Sequence, residues 1–201
     1  MQPPGLSCSQ LRLLRVHQTF APPPTQLELY SKMGAPDDIL RYVPLSGKAF
    51  GEKYMELVAR EFFNMEKKDS STHDHRKCGR TIEQKSARYY ANGDDWRWQH
   101  IEMTHDWDAL MVTGLDFDCI RFYIASRDTV IQLIAKGIIC GQGKQDDNGV
   151  AAAQQAFWFS RSDFKKKNMV FTDYFLEIST EADLCNWLDA ISTPPIHAIM
   201  E

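Results

Sequence analysis

The chain lacks any apolar run of the roughly 20 residues that a membrane-spanning helix needs. It also lacks a basic-then-apolar leader at its N-terminus. Its five cysteines, Cys8, Cys78, Cys119, Cys140 and Cys185, are scattered and form no CxxC pair. That pattern excludes a disulfide framework and predicts reduced thiols in an intracellular protein with no membrane association. No internal repeat is present, which excludes a solenoid. The net charge is only −4, so no whole-molecule field announces a polyanion partner. The Gly-x-Gly-Lys ending at Lys144 is not a phosphate-binding loop, because its spacing is wrong and no Ser or Thr follows the lysine.

What remains is ordinary for a globular chain of 201 residues: 43% hydrophobic and 25% charged. Residues 1–26 carry "MQPPGLS" and "APPPT" and read as a proline-rich N-terminal arm. Residues 27–201 read as a single domain. Charge is unevenly spread. Residues 66–90 hold the bases Lys67, Lys68, Arg76, Lys77, Arg80, Lys85 and Arg88 against four acids. Residues 91–120 hold Asp94, Asp95, Glu102, Asp106, Asp108, Asp116 and Asp118 against Arg97 alone. Screening confines each local field to roughly 10 Å, so a basic patch on an acidic protein can still meet a polyanion.

Hydrophobic period orders the elements. The stretch 27–47 predicts a short helix and a turn. Phe50, Tyr54, Leu57, Val58 and Phe62 at helical spacing predict a helix over about 47–65, with Ser46 as N-cap. Gly79 predicts a hairpin turn whose second strand is Thr81–Ala87. Ala109–Thr113 and Cys119–Ala125 predict strands. Ser126 caps a helix that Gly137 stops, and a short strand follows at Ile138–Cys140. Ala156–Phe159 and Val170–Ile178 predict further strands. A last capped helix turns Leu184, Trp187, Leu188 and Ile191 inward and ends before Pro194 and Pro195. The order implies a mixed α/β domain.

The chemistry concentrates in "HDHRKCGRTIEQKS", residues 73–86. Glu83 and Lys85 alternate on one strand face, and the turn at Gly79 brings Asp74 back beside Glu83. Two close carboxylates repel unless a cation joins them, and hard oxygen ligands suit Mg²⁺. An ammonium beside that site can polarise a water or steady charge developing on a phosphate.

Asp74, the hairpin "HRKCGRTI" and Glu83-Gln84-Lys85 resemble the signature of the PD-(D/E)xK nuclease superfamily, and within it the type II restriction endonucleases. "KSARYY" resembles the ending often seen in those enzymes, and the likeness covers about residues 45–140. It implies a restriction-endonuclease-like fold, α/β with a mixed central sheet flanked by helices. It also implies a Mg²⁺-dependent, sequence-specific endonuclease acting on double-stranded DNA. Asp74 and Glu83 would hold the metal, Lys85 would serve the attacking water, and Glu52 or Glu56 would be an accessory acid from the preceding helix. A palindromic target would call for a homodimer. Two positions depart from the family pattern: His73 precedes the aspartate in place of proline, and Gln84 replaces an apolar residue on the opposite strand face.

For DNA contact, Arg76, Lys77, Arg80 and Arg88 flank the motif as candidate phosphate ligands. Gln142, Lys144, Gln145 and Asn148 lie in a polar loop as candidate base readers. Other readings are a repair or junction-resolving nuclease of the same fold, or a noncatalytic binding module whose charged hairpin is surface decoration. A zinc site from His73, His75, Cys78 and Cys140 lacks a local fourth ligand. His100 and His105 fall among Trp96, Trp98 and Trp107, as in a packed aromatic segment.

Overall fold

The computed structural model describes residues 25–67, 71–90, 95–142 and 156–191. Helix α1 (Gln26–Lys32) starts from a capping box in which Thr25 and Glu28 satisfy each other's backbone amides. Helix α2 (Asp37–Leu40) follows.

The next helical stretch is not one regular helix. Ala49–Met55 forms a π-helix and Glu56–Phe63 (α3) an α-helix. Ser46 Oγ accepts from the Ala49 amide at 3.3 Å, as expected of a cap. The extra residue of the π turn re-phases the buried face. Phe50, Met55, Ala59 and Phe63 are the buried residues, at steps of five, four and four. Leu57 and Phe62, which a regular 3.6-residue period turns inward, are instead 45% and 55% exposed.

The strands form one mixed nine-stranded sheet among the described residues. They are β1 (Glu66–Lys67), β2 (His75–Lys77), β3 (Arg80–Tyr90), β4 (Asp95–Glu102), β5 (Ala109–Leu115), β6 (Ile120–Ser126), β7 (Cys140–Gly141), β8 (Ala156–Ser160) and β9 (Leu176–Ile178). The spatial order is β7-β8-β4-β3-β5-β6-β9, with the β1–β2 ribbon attached to the start of β3. β3 runs parallel to β5, from Ile82 beside Ala109 to Arg88 beside Leu115, and all other pairings are antiparallel.

Helices cover both sheet faces. On one, Ile82, Ala109, Met111, Phe122 and Ile124 pack against α3 and against Leu184 and Leu188 of α6 (Glu181–Ala190). On the other, Ala87, Leu110, Val112 and Tyr123 pack with Val130 and Leu133 of α4 (Arg127–Ala135) and Phe164 of α5 (Arg161–Lys166). Trp96, Trp98 and Ile101 of β4 join this second layer. The α4 caps are those expected: Ser126 Oγ accepts from the Thr129 amide at 3.2 Å, and Gly137 takes a φ of 65°.

Two predicted strands are corrected. Val170–Ile178 is a 3₁₀ turn (Phe171–Asp173) followed by β9, because Phe171 and Phe175, four residues apart, stack at 5.0 Å in the aromatic core. The strand expected at Ile138–Cys140 begins only at Cys140, since Ile138 and Ile139 are buried at the end of α4 and their amides bond to Leu133. No helix among the described residues is long and apolar enough to cross a membrane.

Candidate functional site

The hairpin turn consists of Cys78 and Gly79, with φ of 50° and 72°. Two successive positive φ values make the tight turn that matches strand twist. It sets the register His75 with Ile82, Arg76 with Thr81 and Lys77 with Arg80. One step further on, Asp74 straddles Glu83. Its amide donates to Ile82 O at 3.0 Å, and its Oδ2 accepts from the Gln84 amide at 2.9 Å.

Glu83 is 4% exposed, and its Oε1 lies 2.6 Å from Lys85 Nζ. Burial raises the Glu83 carboxyl above its ordinary value, and the nearby Asp74 charge adds to the rise. Lys85 and His105 oppose it. The sheet therefore buries a carboxylate beside a second one, with one ammonium against it.

Gln84 points to the other face and is buried there. Its Oε1 meets His75 Nε2 at 2.7 Å, and its Nε2 donates to Met55 O at 3.2 Å and Thr113 Oγ1 at 3.0 Å. A polar residue stands at this inward position because three polar partners receive it. One of them is the last carbonyl of the π turn, so Gln84 ties the hairpin strand to the helix ahead of it.

Asp74, Glu83 and Lys85 line a cleft of about 600 Å³. Glu52 and Glu56 line it too, with Lys48, from the π-helix and the start of α3. Glu52 pairs with Lys48 at 3.8 Å. The far wall is β4, through Arg97, Gln99 and His100, together with His105. A bulge builds that wall. Trp98 pairs with Phe159 and Ile101 with Phe157, so β4 carries one residue more than β8, and His100 adopts a φ of 60°. The extra residue keeps Trp98 and Ile101 buried while Gln99 and His100 both remain exposed. His105 Nε2 pairs with Glu102 at 2.8 Å. Arg127 fixes the turn beneath it, donating to the carbonyls of Met103, His105 and Trp107.

The expected basic contacts divide. Arg76 is exposed beside the hairpin, with its Nε 3.3 Å from His73 Nε2. Lys77 and Arg80 project from the other face. Lys77 pairs with Glu181 of α6 and donates to Asn64 O, and Arg80 donates to Ile191 O. Arg88 also lies on that face, 4.1 Å over the Phe50 ring, and donates to Gln26 and Leu45. Burial lowers its proton affinity. The structure thus brings none of these three into the carboxylate cleft. Gln142 stands near the cleft rim, where its Oε1 accepts from the His100 amide at 3.1 Å. Lys144, Gln145 and Asn148 lie outside the described residues.

Sequence reasoning missed Arg97, Gln99, His100 and His105 as cleft residues. The alternation of Trp96 and Trp98 with Arg97 and Gln99 carries a strand signal. The bulge that aims His100 outward has no sequence mark. Asp108, by contrast, does what a strand-start aspartate usually does: its Oδ2 accepts from the Thr81 amide and hydroxyl.

No protein-family model matches the chain, and no curated protein matches it.

A second set of ligand-type atoms gathers elsewhere. Asp116, Asp118 and Cys119, at the β5–β6 turn, place theirs within 4.8 Å of one another, a group that could hold a metal ion. Asp116 Oδ2 already takes a hydrogen bond from Arg121 Nε at 3.1 Å. A groove of about 590 Å³ beside it is lined by Tyr42, Tyr54 and Phe62. The cleft around Asp74 and Glu83 is the more polar of the two and holds both carboxylates, with the Lys85 ammonium against Glu83.

Proposed function

We propose that the chain is a Mg²⁺-dependent endonuclease of double-stranded DNA, built on a restriction-endonuclease-like arrangement of its mixed sheet. The observation that carries the reading is that Asp74 and Glu83, with Lys85 against Glu83, line one cleft together with Glu52 and Glu56. The donor set fits the ion: hard carboxylate oxygens, one of them buried at a cost that a cation would relieve. Asp74 and Glu83 would hold it. Bound there, Mg²⁺ supplies charge stabilisation at a phosphoryl oxygen and acidifies a water.

The remaining work falls to the chain's own side chains. Lys85 Nζ, 2.6 Å from Glu83, lies within reach of a water held by that carboxylate and orients it toward phosphorus. Arg97, Gln99 and His100 of β4, with Arg76 and Lys48, take over the phosphate contacts that sequence reading gave to Lys77, Arg80 and Arg88. Arg97 is pre-oriented by the rings of Tyr90 and Trp158, 5.8 and 5.0 Å from its guanidinium carbon. Gln142 is the base-reading candidate among the described residues. Sequence-specific cleavage of a palindrome would pair two copies of the chain across the site.

Digestion of a large mixed-sequence DNA with Mg²⁺ tests the class. Discrete bands mean a restriction-like enzyme, a smear means a repair-type or nonspecific nuclease, and intact DNA means a noncatalytic binding module. Lys85→Ala tests the mechanism. Single-turnover cleavage is expected to fall by about a hundredfold or more while binding in Ca²⁺ persists. Lys85→Arg is expected not to rescue it, because a planar fork does not replace a compact ammonium. Cleavage by Lys85→Ala at the wild-type rate would remove this site from the chemistry.

A further inference from the structure

Cys78 and Cys185 are 107 positions apart in the chain, yet their sulfurs lie 2.8 Å apart. Cys78 occupies the first central position of the β2–β3 turn, with its φ of 50°. Asn, Asp or Gly is the residue such a turn favours there. Cysteine gives the backbone no help at that angle, so what the position gains is the thiol. Cys185 meets it from α6. The two supports are tied together around the sulfurs. Lys77 pairs with Glu181, Asn64 Nδ2 donates to Glu181 Oε1 at 3.3 Å, and Arg80 Nη2 donates to Ile191 O at 3.1 Å. Thiols held in this way meet at an effective concentration that solution thiols do not reach. Cys78 is exposed, so a small oxidant has access to the pair.

We propose that Cys78 and Cys185 form a redox-modification site, a dithiol that a peroxide-class oxidant converts reversibly into a disulfide joining the hairpin turn to α6. One thiolate sulfur attacks a peroxide oxygen and breaks the O–O bond. The departing hydroxide takes a proton and leaves as water, and a sulfenic acid remains. The second sulfur attacks the sulfenic sulfur and gives up its own proton, and a second water leaves. Two thiols and one hydrogen peroxide become one disulfide and two waters. The Cys78 thiol is the hydrogen-bond donor, and that bond to Cys185 together with burial pushes its pKa up to about 11. The sulfurs already lie 2.8 Å apart, against a disulfide bond length of about 2.05 Å.

The test uses the full chain, reduced and then treated with hydrogen peroxide. Intact mass is expected to fall by about 2 Da, the two hydrogens lost. A Cys78–Cys185 cross-linked peptide should appear on mapping, and dithiothreitol should reverse both changes. The melting midpoint should rise on the order of 10 °C, since the cross-link closes a loop of more than a hundred residues. Cys78→Ser and Cys185→Ser should each abolish the mass loss and the thermal shift, and Cys119→Ser and Cys140→Ser should keep both. Free alkylation of Cys78 and Cys185 after peroxide treatment, or a mass loss that survives Cys185→Ser, would overturn the assignment. None of these readouts depends on nuclease activity.

Discussion

Glu83 is a cleft carboxyl whose burial works against the fold. Its carboxyl is buried, and its proton affinity is raised first by that burial and then by Asp74. The sign of the pH effect follows. A carboxyl with a folded-state pKa above its ordinary 4.5 leaves the folded protein holding more protons than the unfolded chain as pH rises above that value. Stability contributed by the protonated form is therefore lost as pH climbs from about 4.5 through the raised value. In chelator-containing buffer, Glu83→Gln is expected to flatten that decline and to raise the neutral-pH melting midpoint by a few degrees. Thermal melts of both proteins from pH 4.5 to 8 read it out. A mutant that melts lower than wild type at every pH would mean that the Lys85 pair outweighs the burial. The same reasoning bears on Lys85→Ala, which removes the counter-ion of a buried carboxylate and should destabilise the fold independently of the cleavage proposed above. Gln84 belongs beside these two: it looks like a polar intruder in the strand, and three buried partners make it a fastener.

Much of the hairpin was legible as an element, because its signals are local. A glycine at the turn and the two-residue period of a strand place Asp74, Glu83 and Lys85 without tertiary knowledge, although Gln84 breaks the apolar alternation. The π turn was not legible. Phe50, Tyr54, Leu57 and Phe62 satisfy a regular helical period, and only packing against the sheet chooses the five-residue step from Phe50 to Met55. The bulge at Gln99–His100 and the 3₁₀ turn at Phe171 were hidden for the same reason, since each is selected by partners distant in sequence. The contact between Cys78 and Cys185 is the extreme case, set wholly by where α6 docks. Gly114 shows how closely the Trp96 indole of β4 reaches across to β5. A Cβ there would sit 2.7 and 2.9 Å from ring atoms of Trp96, a rigid, buried indole whose Nε1 donates to Leu115 O. Gly114→Ala is expected to destabilise by about 1–3 kcal/mol as an overpacking change. In urea unfolding the midpoint should drop with an unchanged slope, and an unshifted midpoint would mean that the Trp96 ring gives way to the added methyl.

At the scale of the molecule, the N-terminal helices are joined to the sheet where β3 passes from β5 to β4. The Tyr30 hydroxyl donates to Leu115 O at 2.5 Å and accepts from the Tyr89 amide at 2.8 Å. Burial pushes that phenol well above its usual pKa, so it stays a donor across the working range. Tyr30→Phe is expected to cost about 1–3 kcal/mol. Faster hydrogen exchange should appear in α1 and α2 before it reaches β5 and β6, and uniform acceleration would show that this layer is not a separate unit. The strand order carries one more consequence, in time rather than in space. β3 meets its parallel partner β5 after a modest stretch of chain, but β4 must wait for β8, which the ribosome delivers much later. The strand bearing Glu83 and Lys85 can pair while the opposite wall still has a bare edge for most of its length. A nascent chain paused before residue 156 would carry the carboxylates and the ammonium on a formed floor and lack the paired wall that aims Arg97 and His100 at them.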